Sequence, residues 1–301
     1  MIWRKQVEAG MPYVSVIMPA HNEEPYIGAA IESVLGQTYD RWELVVVDDH
    51  STDRTAEIVR SFTDSRIRLY QKSTEPPGRA SSRNIGISMA RGSFIAYHDA
   101  DDYSRPTRIE LQVEEALAGS RPRAVGAWVE RLSATGSRFC ELPVSHEEIV
   151  NGFKRAYNRV TIVAGTLLLP RSVVTAIPLR TRFKYLEDWD QLCRIHESQM
   201  VEFRNVPEFL YTYNIRPKGS KCQRDWACYN VFERACRARR QTGLTEWDSL
   251  EQFEAYLAGS MREFLYWSTL RQLLHLKAEI EMRLAGSRSP IRTSHPGQLT
   301  R

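Results

Sequence analysis

One acidic cluster, Asp99–Asp102, places three carboxylates within four residues. Carboxylates this close repel one another unless a cation or a proton offsets their charge. Mg²⁺ and Mn²⁺ prefer oxygen ligands, and magnesium is commonly held by one or two carboxylates together with substrate phosphates. Such a site would neutralise a diphosphate leaving group and act as a Lewis acid. The alternative interpretation is a solvated acidic loop.

Three other polar segments accompany this cluster: Pro19–Glu23, Asp48–Asp53 and the stretch that begins at Gly78. Taken alone, Asp48–Asp53 is equally typical of a turn followed by a helix N-cap. In the third segment Arg79 and Arg83 are four residues apart, so on a helix they share a face and can meet phosphate oxygens. A solvated helix face is the alternative for Arg79.

The elements that position these segments are short β-branched runs that alternate with amphipathic stretches, as in βαβ units feeding a mostly parallel sheet. The predicted strands are Val14–Met18, Glu43–Asp48, Ile67–Tyr70 and Ser93–His98. The predicted helices are Pro25–Gly36, Asp53–Phe62, Arg79–Arg91 and Pro106–Leu117. Ligands bind at the carboxyl ends of parallel strands, so the first, second and fourth strands are expected to bring their polar ends to one rim.

The second half of the chain predicts an α+β continuation and then a helical region. The expected elements are a short apolar run at Ala124–Leu132, a helix near His146–Gly152, a strand at Gly165–Leu169, a helix from about Glu187, and long helices at Asp225–Gln241 and Ser249–Leu284. This pattern predicts one domain over 11–223, in two halves at 11–119 and 120–223. A helical extension over 224–285 and a disordered tail over 286–301 would follow.

Composition narrows the class of protein only modestly. The 301 residues hold 41 Lys and Arg against 37 Asp and Glu, a net charge of +4 that suits a phosphate-bearing ligand but decides little by itself. We expect no nucleic-acid partner. Five scattered cysteines without a zinc-site spacing indicate reduced thiols in a cytoplasmic protein. No run reaches the roughly 18 apolar residues that a membrane span needs. For the C-terminal helices we expect packing within the domain, with a homodimer seam or peripheral membrane association as the alternatives.

Four motifs, taken in order, resemble one enzyme family: PAHN, DDHSTD, GxAxxRNxG and ARGxxIAYxDADD. In this combination the chain is similar to the N-terminal half of the inverting family 2 glycosyltransferases, over roughly its first third. The resemblance implies a GT-A fold, which is an α/β, Rossmann-like, mostly parallel sheet flanked by helices. It implies that 11–223 is the catalytic domain, with a nucleotide-sugar half at 11–119 and an acceptor half at 120–223. It also implies transfer of a sugar from a nucleoside-diphosphate sugar to a hydroxyl acceptor, with Mn²⁺ or Mg²⁺, in glycan, polysaccharide, glycolipid or secondary-metabolite synthesis.

The resemblance also implies roles for individual residues. Asp49 would contact the nucleotide base, and Arg83 would help to hold the nucleotide. Asp99 would lie near ribose and metal, and Asp101 would be a direct metal ligand. The remaining members of the implied nucleotide-sugar pocket are Pro19, His21, Glu23 and, from the residue pattern, Arg79.

A later segment, Leu186–Leu192, is similar to the E-D motif of the same family. Inversion requires a base that removes the proton of the acceptor hydroxyl, and a carboxylate at a strand-to-helix junction can do so. By resemblance the base is Asp188 beside Glu187, with Asp190 as its rival. Acidic residues at a helix N-terminus are also favourable without any catalytic role.

Two departures from the family pattern qualify the expected reaction. Arg216 stands where histidine is common, so we expect Arg216, with Lys218, to meet the diphosphate in place of a third metal ligand. The QxxRW motif and membrane helices of processive members are absent from the sequence, which favours single-sugar transfer. The alternative functions are a sugar-1-phosphate nucleotidyltransferase, although PAHNEE replaces its glycine-rich loop, and a non-catalytic nucleotide-sugar-binding module.

Overall fold

The computed structural model describes residues 13–154, 161–216 and 220–259, together with 266, 268–270 and 272–273. The chain divides into two compact units, Met1–Pro217 and Lys218–Arg301. This division falls a few residues before the predicted limit of the catalytic domain. The predicted tail at 286–301, the end of the predicted last helix, and Lys218 lie outside the described residues.

The first half of the first unit alternates strands and helices as predicted, with ends that move by one or two residues. Its elements are β1 (Val14–Ala20), α1 (Ile27–Leu35), β2 (Trp42–Asp48), α2 (Thr55–Ser61), β3 (Ile67–Gln71), α3 (Arg79–Met89), β4 (Phe94–Tyr97), β5 (Tyr103–Ser104) and α4 (Arg108–Leu117). The second half contains β6 (Arg123–Ser133), β7 (Gly136–Cys140), α5 (His146–Lys154), a 3₁₀ turn (Ala164–Thr166), β8 (Leu168–Pro170), α6 (Arg171–Ala176), α7 (Glu187–Ser198) and β9 (Glu202–Asn214).

One sheet runs through the unit in the order β3-β2-β1-β4-β8-β6-β9-β5, and β7 pairs with β6. β1, β2, β3 and β4 are mutually parallel neighbours, and β6 is parallel to β9. β8 runs antiparallel to both β4 and β6. The carboxyl ends of β1, β2, β4, β6 and β9 therefore lie at the same edge of the sheet.

Helices cover both faces of the sheet. Every residue of β1 and of β2 is buried, which explains the continuous apolar run at Val45–Val47. Gly86 lies where α3 crosses the sheet, and a Cβ there would come within 2.6 Å of the Ile17 side chain. This glycine of the RNxG motif thus lets α3 approach the sheet closely and brings its arginines to the rim.

The structure corrects the second half of the predicted pattern. The expected strand at Gly165–Leu169 begins as the 3₁₀ turn and becomes β8 only at Leu168. β5, β7, α6 and the 13-residue β9 were not predicted. β9 contains Pro207, which argues against a central strand because proline cannot donate to the ladder. The structure resolves the conflict with a bulge: Ala127 pairs with Val206 and Trp128 with Phe209, so Pro207 is left out of the register.

The second unit is helical in its described part. α8 (Ser220–Gln241) begins five residues before its predicted start, and α9 (Leu250–Gly259) follows. Phe232, Trp247 and Phe253 are buried and their rings pack together in pairs. Among the described helices of the whole chain, none is long and apolar enough to cross a membrane.

Candidate active site

The loops that follow β1 and β2 are tied to each other by side chain to backbone hydrogen bonds. The Thr52 amide donates to Asn22 Oδ1 at 2.8 Å, and the Asn22 amide donates to Ser51 Oγ at 2.9 Å. Asn22 and His50 both have positive φ, 55° and 58°, a conformation uncommon in non-glycine residues. Asp53 accepts from the Thr55 amide at 3.0 Å. The N-cap residue of α2 is Arg54, which makes no side-chain cap hydrogen bond, so the expected capping by Ser51, Thr52 or Asp53 is not formed.

Asp49 directly follows β2, and several polar contacts fix its carboxylate and its carbonyl oxygen. Lys72 Nζ donates to its Oδ1 at 2.8 Å, and the Gly78 amide donates to its Oδ2 at 2.7 Å. His21 Nδ1 lies 2.6 Å from the Asp49 carbonyl oxygen. Gly78 has a φ of 123°, which L side chains rarely adopt, so a glycine is needed to aim this amide. The ends of the first two strands are therefore held together by hydrogen bonds.

Arg83 joins two motifs that are about one hundred residues apart in the sequence. Its side chain is fully buried; Nη2 lies 2.6 Å from Asp99 Oδ1 and Nη1 lies 3.3 Å from Glu187 Oε1. Burial pushes the pKa of Asp99 upward, but the guanidiniums of Arg83 and Arg79 outweigh it and hold that pKa below its usual value. Arg79, half exposed, lies 3.3 Å from Glu187 Oε1. Both arginines of α3 therefore face the site.

α7 begins at this point with an unusual backbone conformation. Leu186, the residue before Glu187, has a φ of 66°, which is strained for a bulky side chain and is a feature that concentrates at functional sites. Burial raises the pKa of Glu187, against the effect of Arg79. Asp188 is partly exposed, and its Oδ1 accepts from the Trp189 amide at 2.7 Å. Asp190 is fully buried between Arg194 at 2.8 Å and Arg180 at 3.6 Å.

Arg216 connects the acidic cluster to the loop after β1. Its guanidinium donates to both oxygens of Glu23, at 2.9 and 3.1 Å, and lies 2.5 Å from Asp101 Oδ2. Burial and the neighbouring Asp99 raise the pKa of Asp101. Burial likewise raises the pKa of Glu23, against its hydrogen bond to Arg216. The three predicted residues therefore meet, and a guanidinium lies against the Asp101 carboxylate.

Asp102 points away from solvent and supports the cluster from below. Its Oδ1 accepts from the Asn214 amide at the end of β9, at 2.8 Å. Burial together with Asp99 and Asp101 raises the pKa of Asp102 to about 8. Tyr211, also on β9, accepts from the Asp99 amide at 3.0 Å through its hydroxyl. The unpredicted strand β9 thus fixes the backbone of the acidic cluster.

Arg108, another unpredicted residue, holds the elements around the cluster together. It is fully buried on α4 and donates to the carbonyl oxygens of Tyr97 at 2.7 Å and Gly165 at 3.0 Å. Its Nη1 donates to Ser104 Oγ at 2.9 Å. Burial lowers the pKa of Arg108 to about 10. Because these hydrogen bonds engage its guanidinium, we assign Arg108 to the scaffold that carries Asp99 rather than to the ligand-binding surface.

The acidic cluster suits a hard divalent cation only if a ligand completes the coordination. Among the described residues, no group of three or more His, Cys, Asp or Glu side chains is arranged to hold a metal ion. Asp99 and Asp101 supply two carboxylates, a set that Mg²⁺ or Mn²⁺ uses together with substrate phosphates. Burial and the neighbouring Asp99 raise the pKa of Asp101, and a bound cation would oppose both effects. The donor set therefore fits a metal held jointly with a diphosphate.

The structure brings the sequence-predicted residues of the nucleotide pocket, the acidic cluster and the E-D motif to one edge of the sheet. Pro19 contributes from within β1, where it pairs with Val47. Asp190 is the exception, since its carboxylate is enclosed by arginines below the surface. Lys72 was missed, although it directly follows β3, and the strand-end rule that selected the other motifs would have selected it too.

Comparison with known sequences agrees with this geometry. The sequence model described as "Glycosyl transferase family 2" matches residues 15–167, just over half of the chain. The chain belongs to this family. The matched region includes the acidic cluster and ends at the 3₁₀ turn, before Glu187.

Bacterial glycosyltransferases are among the similar proteins. "UDP-Glc:alpha-D-GlcNAc-diphosphoundecaprenol beta-1,3-glucosyltransferase WfgD" of Escherichia coli is 45% identical over 104 residues, which cover 35% of this chain and 41% of that protein. An uncharacterized glycosyltransferase of Haemophilus influenzae is 30% identical over 58% of this chain and 66% of its own length. The chain thus aligns with about two fifths to two thirds of these relatives.

Solved glycosyltransferases share the fold. TarS 1-349 of S. aureus in complex with UDP superposes with a TM-score of 0.54 at 20% identity, covering 73% of this chain and 65% of that one. The mannosyltransferase PcManGT of Pyrobaculum calidifontis, in complex with GDP-Man and Mn²⁺, gives 0.58 at 18% identity, with 94% and 77% covered. The predicted GT-A fold of this family 2 member is therefore confirmed.

Proposed function

We propose that the protein is an inverting glycosyltransferase that moves a single sugar from a nucleoside-diphosphate sugar to a hydroxyl acceptor, with Mn²⁺ or Mg²⁺. The observation that carries this proposal is the position of Arg83, whose guanidinium contacts Asp99 of the acidic cluster and Glu187 of the E-D motif. This buried guanidinium lies between a carboxylate of the expected donor site and a carboxylate of the E-D motif, which supports the proposal. A nucleotide-binding module without catalysis would have no need of this connection.

The donor would bind along the rim from β2 to β4. Asp49, held by Lys72, is positioned to meet the nucleotide base, while Asp99 and Asp101 would hold the metal with the diphosphate. The metal would offset the charge of the leaving diphosphate. The bound UDP and the bound GDP-Man with Mn²⁺ of the structural neighbours support a nucleotide and a divalent metal at this rim.

Asp188 is the proposed base. It would take the proton of the acceptor hydroxyl while that oxygen bonds to the anomeric carbon and the bond to the diphosphate breaks, the electron pair leaving with the diphosphate. Partial exposure leaves the Asp188 carboxylate accessible, whereas Asp190 is enclosed by arginines. Glu187, bound to Arg83 and Arg79, would position the start of α7.

For the acceptor we favour a sugar hydroxyl on a lipid-linked diphosphate. Two E. coli relatives carry names that specify GlcNAc-diphosphoundecaprenol as the acceptor, at 45% and 41% identity. Both alignments cover about a third of this chain.

Thermal unfolding in the presence of UDP, GDP or TDP, each with and without Mn²⁺, tests the donor proposal. We expect one nucleotide to raise the midpoint in the wild type only when Mn²⁺ is present, and Asp101→Asn to abolish this metal-dependent shift. Asp40→Asn, an exposed carboxylate just before β2, is the matched control and should respond as the wild type does. Equal metal-dependent shifts in Asp101→Asn and wild type would refute the assignment of Asp101.

A further inference from the structure

Two arginines stand directly opposite each other on the β6–β7 hairpin. Arg131 of β6 pairs with Arg138 of β7, and both side chains are exposed. Like charges directly opposite each other destabilise a sheet. Within the described residues, neither guanidinium has an ion pair or a hydrogen bond. The hairpin therefore holds two concentrated positive charges for which the fold supplies no acidic partner.

The register of the sheet places Arg131 on the same face as two tyrosines of β9 that lie near the acidic cluster. Arg131 pairs with Tyr213, and Val129 pairs with Tyr211, on β9. Directly paired residues share a face, and side chains alternate along a strand. Tyr211 reaches the Asp99 amide, and burial together with Asp99 raises the pKa of Tyr213 to about 12. Arg131 thus lies one strand, about 5 Å, beyond a tyrosine that borders the acidic cluster.

The acidic residue nearest in sequence does not neutralise this pair. Glu130 precedes Arg131 in β6 and points to the opposite face, where it accepts from Arg105 at 2.8 Å and from Thr212 at 3.1 Å. The acidic cluster, for its part, already has Arg83 and Arg216 as its own cations. No ion pair among the described residues therefore includes Arg131 or Arg138.

We propose that Arg131 and Arg138 bind the diphosphate group of the acceptor. Guanidinium forks match phosphate oxygens in a bidentate manner, and two adjacent forks suit a diphosphate better than a single carboxylate. A sugar joined to that diphosphate would lie between the hairpin and the donor rim, with its hydroxyl directed at the site. This inference rests on the proposed function, because it assumes that the acidic rim binds the donor.

The test uses the full chain with its donor site filled first. The protein is saturated with Mn²⁺ and the nucleoside diphosphate that stabilises it most, and farnesyl diphosphate is then titrated calorimetrically. We expect the wild type to bind it, and Arg131→Gln/Arg138→Gln to bind about tenfold more weakly for each guanidinium removed. Farnesol, which lacks the diphosphate, should not bind. Arg41→Gln, an exposed arginine just before β2, is the matched control and should bind as the wild type does.

Three outcomes would overturn the inference: no binding of farnesyl diphosphate to the wild type, equal binding to the double variant, or a fall in nucleotide affinity in the double variant. The last would assign the arginines to the donor pocket instead. Failure of every nucleoside diphosphate to bind the wild type with Mn²⁺ would refute the proposed function itself. Removal of two opposed like charges should not lower the unfolding midpoint, so a loss of binding by misfolding is separately detectable.

Discussion

The two edges of the parallel sheet both carry buried carboxylates with arginine partners, but they differ in how fully the protein satisfies the hydrogen bonds of these groups. At the amino edge, Glu43 of β2 accepts from Ser15 Oγ at 2.7 Å, from the Arg91 amide at 2.7 Å and from Arg68 at 2.9 Å. Burial alone would raise the pKa of Glu43, but these hydrogen bonds, led by the Arg91 amide, hold it below its usual value. The ionised carboxylate at this edge is fully satisfied by the protein.

At the carboxyl edge the compensation is partial. Within the described residues, Arg83 Nε and Glu187 Oε2 are buried without hydrogen-bond partners. Burial raises the pKa of Glu187, and burial with Asp99 raises the pKa of Asp101. Unsatisfied buried polar groups are costly, and in native proteins they need an explanation such as a missing ligand. The Glu43 carboxylate at one edge is thus satisfied by the protein itself, and we propose that bound substrate satisfies the groups at the other.

The largest expected effect is on the rate of transfer, and it comes from changing the proposed base at the carboxyl edge. Asp188→Asn removes the proton acceptor while keeping the size of the side chain, so we expect transfer to fall about 10²- to 10⁴-fold with little change in nucleotide affinity. Initial rates with a radiolabelled nucleotide sugar, alongside calorimetric nucleotide binding, measure the two effects separately. Asp190→Asn is the matched comparison. Because Asp190 pairs with Arg194 and Arg180, we expect Asp190→Asn to lower the free energy of unfolding, with a smaller effect on the rate of transfer than Asp188→Asn has.

Full transfer activity in Asp188→Asn would remove Asp188 as the base. If Asp190→Asn then retained the wild-type unfolding midpoint but lost transfer, the base would move to Asp190.

The amino edge gives the intermediate effect, on stability alone. Glu43→Gln should reduce the free energy of unfolding by about 2 kcal/mol at pH 7 because charge-assisted hydrogen bonds are weakened. Since the folded-state pKa of Glu43 lies below its ordinary value of 4.5, its contribution is present above that value and is lost as the pH falls through the folded pKa. Urea unfolding at pH 7 and in acid measures the difference, which should shrink toward low pH. A difference independent of pH would contradict the ionic character of this network.

Much of the contrast between the two edges could be foreseen from the sequence, because strand-end chemistry lies in short local motifs. The first four strands were predicted to within two residues, and the motifs after three of them identified most of the rim. Lys72 was missed because it is a single residue after β3, and no run of acidic residues follows that strand.

The support beneath the acidic cluster could not be foreseen, because it depends on pairings distant in sequence. Tyr211 and Asn214 reach Asp99 and Asp102 only through β9, a strand whose internal proline argues against it until the bulge is seen. The ion pair between Arg216 and Asp101 likewise joins positions more than one hundred residues apart. Local patterns contain no information on such contacts.

The smallest expected effects are on stability and on Mn²⁺ affinity, and they come from changing Arg216 at the carboxyl edge. Its guanidinium is 40% exposed, so Arg216→Gln should change the free energy of unfolding by less than about 1 kcal/mol. Because Arg216 competes for Asp101, the variant without nucleotide should bind Mn²⁺ severalfold more tightly, as measured by electron paramagnetic resonance. Arg54→Gln, which removes an exposed arginine that pairs with Glu24 and Glu57 instead, should leave Mn²⁺ affinity unchanged. If Arg216→Gln bound Mn²⁺ no better than the wild type, the guanidinium would be a permanent part of the rim, and the carboxyl edge would be closer to completion than its raised pKa values indicate.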